Sequence, residues 1–384
     1  MVNPGGLPGH GTQRQPILPP ALLAGLPTPC LLVDLRAADR NISAAARLLR
    51  GTRVSLRPHF KAHKCTQLLR RQLQAEGCFG ATCQTAGEAE CLSEAGFPDI
   101  LVANVIADQS SLAQLGRAAQ SARITVAADC LAHVNLLQQA AAAADVTFDV
   151  LIELDVGLGR CGLPLGSPDL VPLAAMIGRA PRLTFRGIQA YAGHVVLREG
   201  RELRRTLSQQ VELHVATELD RLTRAGLSCP VVTGGGTGTL QVLGESEVFT
   251  EAQAGSYVLL DAAYDQLGLP FEPALFCVTT VISCRERETA VIDAGLKALS
   301  ADRGLPISVN DDARVLGLSD EHARLAIAAD SNIAVGDKVI LIPSHVDPTV
   351  NLHDMLHVFD GEQLARWPVD GRRVTRLRTQ ESRP

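Results

Sequence analysis

The sequence predicts an α/β protein: a (β/α)8 TIM-like barrel followed by a mostly β C-terminal domain. Three observations carry that reading. Short β-rich runs alternate with amphipathic helical stretches between residues 54 and 260, at the spacing a (β/α)8 ring requires. After about residue 270 the helical pattern stops, and apolar runs are joined by Gly, Asp and Pro turns. Polar residues suited to chemistry gather where the candidate strands end, which is the active face of such a barrel.

Residues 1–22 are rich in Pro and Gly and lack an apolar h-region, so they read as a flexible arm and not as a secretory signal. The barrel domain spans 23–268. Its candidate strands are Val54–His59, Phe79–Gln84, Ile100–Asn104, Ile124–Ala128, Phe148–Asp155, Phe185–Ala192, Pro230–Thr233 and Ala252–Leu260. Between them lie helical stretches Cys65–Glu76, Ala86–Ala95, Ser110–Ala122, Leu131–Ala144, Leu170–Arg179 and Glu199–Ala225. The alanine run Ala140–Ala144 belongs to one of these helices. No clear helix follows the eighth strand, and helix Arg36–Arg50 is placed to close the ring. The C-terminal domain, 269–384, holds strands Cys277–Cys284, Thr289–Ile292, Leu325–Ala328 and Lys338–Ile342, and the early strand Cys30–Leu35 is a candidate to join it.

Composition narrows the function classes. At 384 residues and 46% hydrophobic, the chain can bury the cores of two domains. A net charge of −5 with 3% aromatics offers neither a basic surface nor stacking platforms for nucleic acid. No apolar run is long enough to span a membrane. The 10 cysteines form no C-x-x-C pair, a pattern of buried free thiols in a reducing cytoplasm.

Lysine is scarce: only Lys61, Lys64, Lys297 and Lys338 occur among 36 basic residues. Two of them stand in Arg57-Pro58-His59-Phe60-Lys61-Ala62-His63-Lys64, after the first barrel strand. An amine that must deprotonate and form a Schiff base cannot be replaced by a guanidinium. Strand five ends before Arg160, and strand six ends in Gln189-Ala190-Tyr191-Ala192-Gly193-His194. Strand seven ends in Thr233-Gly234-Gly235-Gly236-Thr237-Gly238-Thr239, and strand eight contains Ala254-Gly255-Ser256-Tyr257. Glycines let main-chain N–H groups approach an anion and hydroxyls add donors, so these two loops form a phosphate cradle where barrels commonly hold phosphate. A Schiff-base lysine and a phosphate cradle on one face suggest pyridoxal phosphate. A second cluster, Ser344-His345-Val346-Asp347, puts an imidazole and a carboxylate two residues apart. Along an extended segment both side chains share a face and could chelate a divalent ion, with Mn2+ or Mg2+ favoured over thiolate-binding metals.

Together these motifs resemble the fold-type III pyridoxal phosphate enzymes with an alanine racemase-like barrel, in the branch of D-threonine aldolase and D-serine dehydratase. The resemblance runs from Thr28 to about Phe359. It also rests on Cys83-Gln84-Thr85-Ala86-Gly87-Glu88-Ala89-Glu90 and on Asp293-Ala294-Gly295-Leu296-Lys297-Ala298-Leu299-Ser300. It implies that Lys61 carries the cofactor, Arg160 faces its phenolic oxygen, and Gln189 and Tyr191 lie beside its ring. Thr237, Gly238, Gly255, Ser256 and Tyr257 would hold the phosphate, and His345 and Asp347 the metal, Mn2+ first. The implied reaction is retro-aldol cleavage of D-3-hydroxy amino acids to glycine and an aldehyde. His194 and His59 are the candidate bases, and Lys61 or His59 returns the proton. A homodimer is also implied by the resemblance.

Relatives acting as dehydratases pair histidine with cysteine at the metal, whereas this chain has Asp347, which favours aldolase over a D-serine or D-3-hydroxyaspartate dehydratase. A racemase would need a second acid/base from the β domain, typically tyrosine, and no tyrosine follows Tyr264. A non-catalytic pyridoxal phosphate carrier or a metal-dependent barrel hydrolase are the remaining alternatives. Glu88 is expected as a cap or packing residue, while Lys297, Asp302 and His322 carry no assigned role.

Overall fold

The computed structural model describes residues 18–286 and 288–372. Of the arm expected over 1–22, residues 1–17 lie outside the described residues. Leu18 is buried against Leu26, Leu32 and Phe276, and helix α1 begins at Pro20 (Pro20–Ala24). Strand β1 (Cys30–Asp34) pairs antiparallel with β11 (Leu275–Glu286) and parallel with β17 (Met355–Phe359), so the early strand does join the C-terminal sheet.

The barrel strands follow: β2 (Ser55–Leu56), β3 (Ala81–Cys83), β4 (Asp99–Val105), β5 (Arg123–Ala128), β6 (Phe148–Asp155), β8 (Leu183–Ala190), β9 (Val231–Gly234) and β10 (Glu251–Ala252), with a short β7 (Leu163–Pro164) beside β6. They pair in parallel in the order β2-β10-β9-β8-β6-β5-β4-β3. Parallel bridges Leu56–Cys78 and His59–Thr82 complete the ring. Helices α3 (Thr66–Gln72) through α8 (Arg201–Arg224) fill the outer layer, each with its apolar face on the sheet.

Helix α2 (Leu35–Leu49) takes the place left open after β10. Asp34 caps it by accepting from Arg36 N and Ala37 N, and Leu35, Ala38, Ile42, Ala45 and Leu49 form its buried stripe. Buried Asn41 donates to Val258 O at 3.2 Å and to Glu272 O at 2.7 Å and accepts from Glu272 N at 2.9 Å, locking the helix over the seam.

Two expected strands are much shorter than their composition suggests. Val54–His59 yields only Ser55–Leu56, and Ala252–Leu260 only Glu251–Ala252, because the chain turns into 3-10 helices at Phe60–Ala62 and Ser256–Val258. The backbones still run side by side, with Arg57 N donating to Ala252 O at 2.9 Å and His59 N to Ala254 O at 3.0 Å. β-rich composition reported burial here, not ladder pairing.

Side chains reinforce these main-chain bonds at the seam. Arg57 donates to both oxygens of Glu251, at 3.0 and 3.1 Å, and to Asp99 at 2.7 Å; Arg57 and Glu251 are buried and Asp99 half-buried. Its guanidinium also lies 4.3 Å from the centroid of Phe79. Asp99 passes the chain of charges to Arg123 at 2.5 Å, and Asp149 meets both Arg123 and Arg186. A bidentate buried pair is weak as net stabilisation, but removing one partner strands the other.

The C-terminal sheet runs β14-β15-β12-β11-β1-β17-β18, where β12 is Thr289–Ile292, β14 Ala313–Leu318, β15 Ala323–Ile327 and β18 Leu364–Pro368. β16 (Lys338–Ile342) pairs with β11 and with β13 (Ile307–Ser308). Among the described residues no helix is long and apolar enough to cross a membrane.

The seam makes a prediction. Arg57→Met should lower stability by about 3–5 kcal/mol, and adding Glu251→Met should recover part of that loss, because the stranded carboxylate is then gone. Urea unfolding of the two variants and the wild type measures it. Equal losses in both would mean that Arg57 acts through packing alone.

Candidate active site

Lys61 sits half-buried on the 3-10 turn that ends the first barrel strand. Tertiary contacts fix that turn from three sides. A Cβ on Gly255 would stand 2.8 Å from His59 O and 3.1 Å from Ala62 Cβ, so only glycine lets the two loops touch. Lys64 adopts φ 51 and its carbonyl accepts from Gly371 N at 2.9 Å. Asp370 caps the following helix through Thr66 N and Oγ1, at 2.8 and 2.7 Å.

The two histidines of the motif differ in role. Cys65 N donates to His63 Nδ1 at 3.1 Å, so the Nε2 proton goes to Gln72 Oε1 at 2.9 Å, and Gln72 Nε2 donates to Tyr257 OH at 2.8 Å. This buried relay ties the lysine turn to the loop of Gly255–Tyr257, and burial pushes His63 down to about 4. His59 is also buried, but its Nδ1 has no partner. Burial, with the Lys61 ammonium behind it, holds its imidazole well below the usual range. Lys64 is ion-paired with buried Glu88, whose other oxygen accepts from Gln84 N at 2.7 Å. Glu88 is thus the packing residue expected of it, in a helix capped by Thr85.

A polar ladder crosses the barrel interior. Gln253 Nε2 donates to Gln189 Oε1 at 2.9 Å and to Thr233 Oγ1 at 3.0 Å, and Gln189 Nε2 donates to Glu153 Oε2. Burial raises Glu153 to about 7 against the opposing pull of Gln189 and Arg160. Tyr191 stands at the mouth with the Arg160 guanidinium 5.6 Å from its ring centroid. His194 packs against Gly157, where a Cβ would lie 3.2 Å from its Cε1, and its Nδ1 is buried and unpartnered.

Thr237 ends the glycine loop with its Oγ1 buried and unpartnered. A Cβ on Gly238 would fall 1.7 Å from Val196 O, so that close backbone packing admits no side chain. Ser256 Oγ points to Asp347 Oδ2 at 3.4 Å. Tyr257 is placed differently from the expectation: its ring is fully buried against Phe271 and its hydroxyl is taken by Gln72, so its side chain faces the core.

The metal pair also differs locally from its expectation. His345 and Asp347 do not share an extended segment. His345 precedes the short helix α11 (Val346–Val350), and Asp347 lies in its first turn. The pair still converges, with His345 Nε2 at 3.7 Å from Asp347 Oδ2. Asp302 holds His345 Nδ1 at 2.7 Å, which orients the ring and leaves Nε2 facing Asp347. Asp302 is positioned in turn by Ser300 Oγ at 2.5 Å. Asp261, fully buried, accepts from Val346 N and Tyr264 N at 3.0 Å each, joining this loop to the end of the barrel.

The structure therefore brings Lys61, His59, Gly255 and Ser256 together, and links Ser256 to His345 and Asp347. Lys297 pairs with Glu321 on the surface, and His322 is exposed. Sequence reading missed Arg303, whose guanidinium lies 5.7 Å from the Tyr264 ring centroid. It also missed the Glu153–Gln189–Gln253 ladder. A carboxylate in the apolar run Phe148–Asp155 was the available signal for Glu153, whereas nothing around Arg303 marks it. All 10 cysteines are free and none is exposed.

The fold and the site define an alanine racemase-like enzyme of the fold-type III pyridoxal phosphate class. The model of the alanine racemase N-terminal domain matches residues 33–262, and that of a putative serine dehydratase domain matches 274–359. A D-threonine aldolase from Arthrobacter sp. is 36% identical, covering 94% of this chain and 97% of the relative. A 3-hydroxy-D-aspartate aldolase from Paracoccus denitrificans is 34% identical over 93% of this chain and 95% of its own. The solved D-threonine aldolase of Filomicrobium marinum is 35% identical with a TM-score of 0.87, covering 91% of this chain and 97% of that one. The chain belongs to the alanine racemase-like family that contains these D-threonine and 3-hydroxy-D-aspartate aldolases.

Glu153 gives a pH prediction. Its folded value of about 7 lies above the ordinary 4.5, so the native state keeps a proton that the unfolded chain has lost. Its contribution to stability is complete below about pH 4.5 and declines as pH rises through about 7. Glu153→Gln keeps the contact with Gln189 and should leave stability at pH 5 unchanged while raising it at pH 8 by on the order of 2 kcal/mol. Urea melts at the two pH values measure this. A variant with the wild-type slope would place the titration elsewhere.

Proposed function

We propose that the protein is a pyridoxal phosphate- and divalent metal-dependent aldolase that cleaves D-3-hydroxy amino acids, D-threonine among them, to glycine and an aldehyde. The observation that carries this reading is Ser256 Oγ at 3.4 Å from Asp347 Oδ2, with His345 Nε2 3.7 Å beyond. It sets an imidazole–carboxylate pair directly beside the loop suited to a phosphate, on the face that bears Lys61. The curated relatives named D-threonine aldolase and 3-hydroxy-D-aspartate aldolase support the same reaction.

The residues fit both groups. Thr237 keeps a buried hydroxyl without a partner, and Gly255 leaves room where a side chain would collide with the lysine turn. Lys61 would hold the cofactor's aldehyde carbon, with Thr237, Gly238, Gly255, Ser256 and the main chain of Tyr257 around its phosphate. Arg160 would face its phenolic oxygen, beside Gln189 and Tyr191. His345 and Asp347 would bind the ion, a nitrogen and oxygen set that suits Mn2+ first and Mg2+ second. When bound, pyridoxal phosphate supplies the sink for the electron pair of the Cα–Cβ bond, and the ion supplies a Lewis acid for the β-hydroxyl.

The chain's own residues move two protons. His194, with a free Nδ1 at the mouth, takes the proton of the β-hydroxyl. As the Cα–Cβ bond breaks, Cβ becomes the carbonyl carbon of the departing aldehyde. Lys61 returns one proton to Cα to give glycine, a role to which it is better suited than His59, whose imidazole burial keeps neutral. Exposed apolar residues occur in both parts, Leu131, Leu203 and Leu213 on barrel helices and Leu296, Val335 and Leu352 in the C-terminal part, so the homodimer rests on the family resemblance alone. Free thiols throughout support a cytoplasmic enzyme.

Purified protein with pyridoxal phosphate and Mn2+ should convert D-threonine to glycine and acetaldehyde. Chelator or Lys61→Ala should abolish the reaction, and His194→Ala should slow it about a hundredfold or more. Ammonia and 2-oxobutyrate as products would instead assign a dehydratase.

A further inference from the structure

Arg303 reaches the site from the C-terminal part, one residue after the aspartate that holds His345. Its guanidinium lies 5.7 Å from the Tyr264 ring centroid, and its charge is felt at Tyr191, Tyr264 and Asp261. Its Nη1 is buried and has no hydrogen-bond partner. A guanidinium cannot shed its proton, so a buried nitrogen of this kind is held for an anion.

The carboxylates nearby do not fill that need. Asp261 accepts from Tyr264 N and Val346 N, one on each oxygen, and makes no hydrogen bond to Arg303. Asp302 is engaged by Ser300 Oγ and His345 Nδ1. Asp347 faces Ser256 and His345. The open guanidinium edge therefore awaits a group from outside the protein, and a carboxylate matches its fork.

Its position says which carboxylate. On the function proposed above, the His345–Asp347 pair attends the β-hydroxyl, so Cβ and the substituent on it lie on the side from which Arg303 comes. We propose that Arg303 is a specificity-determining residue that recognises a carboxylate as the β-substituent, selecting D-3-hydroxy amino acids with a second acid group over those ending in a methyl. The inference rests on the aldolase reading but can fail independently of it.

The experiment compares wild type, Arg303→Gln and Arg303→Lys as holoenzymes with Mn2+. Each is assayed on D-threonine and on D-3-hydroxyaspartate. Calorimetry measures binding of malate and 3-hydroxybutyrate, which lack the amine and so do not react. Wild type should bind malate more tightly than 3-hydroxybutyrate. Arg303→Gln should erase that gap and lower kcat/KM for the dicarboxylic substrate about a hundredfold, mainly through KM. D-threonine turnover should stay within about threefold of wild type, and Arg303→Lys should restore part of the loss. Equal losses on both substrates and both probes would assign Arg303 to the α-carboxylate and overturn the proposal. So would a wild type that cleaves D-threonine but discriminates neither the dicarboxylic substrate nor malate. Absence of D-threonine cleavage in wild type would sink the aldolase reading, and the malate gap would still decide the case of Arg303.

Discussion

The barrel closes on a guanidinium. Its first and last strands contribute two residues each to the ladder, and the main-chain bonds Ser55 N to Thr250 O, Arg57 N to Ala252 O and His59 N to Ala254 O carry the pairing along the seam. Arg57 bridges Glu251 and Asp99 across it, buried. The site depends on this register. Lys61 follows Arg57 by four positions and Gly255 follows Glu251 by four, so fixing one pair opposite the other brings the lysine turn against the Gly255 loop. The His63–Gln72–Tyr257 relay repeats the constraint on the catalytic side. Two buried polar systems at opposite ends of the same two strands leave the turn no freedom to slide.

The C-terminal part completes the site as well as covering it. Asp370 and Gly371 grip the segment after Lys61, and Asp302 orients the imidazole that faces Asp347. Asp261, at the far end of the last barrel segment, accepts from the loop that carries His345 and Asp347. Catalytic geometry thus depends on how the sheet docks on the barrel. The docking surface includes β1, a strand donated from before the barrel begins.

Buried polar groups without partners mark where the fold serves function over stability. Among the described residues such side-chain atoms occur at His59, His194, Ser208, Thr237 and Arg303. All but Ser208 belong to the mouth of the barrel. Each costs roughly 1–3 kcal/mol while unsatisfied, a cost that a polar ligand atom within reach would offset. The carboxyl of Glu153, raised to about 7 by burial, is the same compromise held inside the polar ladder of the barrel. Pre-oriented groups of this kind need no reorganisation when a ligand binds.

The sequence by itself determined the βα alternation, the two-part architecture and the motifs that end the strands. Those features are local: strand and helix periodicity over 5–20 residues, and glycines placed where backbones must touch. Helices Leu131–Ala144 and Leu170–Arg179 and strand Phe148–Asp155 have the bounds their periodicity predicts. Tertiary structure decided the rest. The first and last barrel strands are short because the chain turns into 3-10 helices at Phe60–Ala62 and Ser256–Val258, which brings Gly255 against His59 and Ala62. His345 and Asp347 converge from the start of a helix and not along a strand, since Asp261 draws Val346 into that turn. Tyr257, placed in the phosphate loop by its neighbours, turned inward to meet Gln72, 185 residues away. Arg303 carries no local signature because its meaning lies in what does not pair with it. Periodicity reports which face of an element is buried, but a buried guanidinium nitrogen without a hydrogen-bond partner becomes legible only in the packed structure.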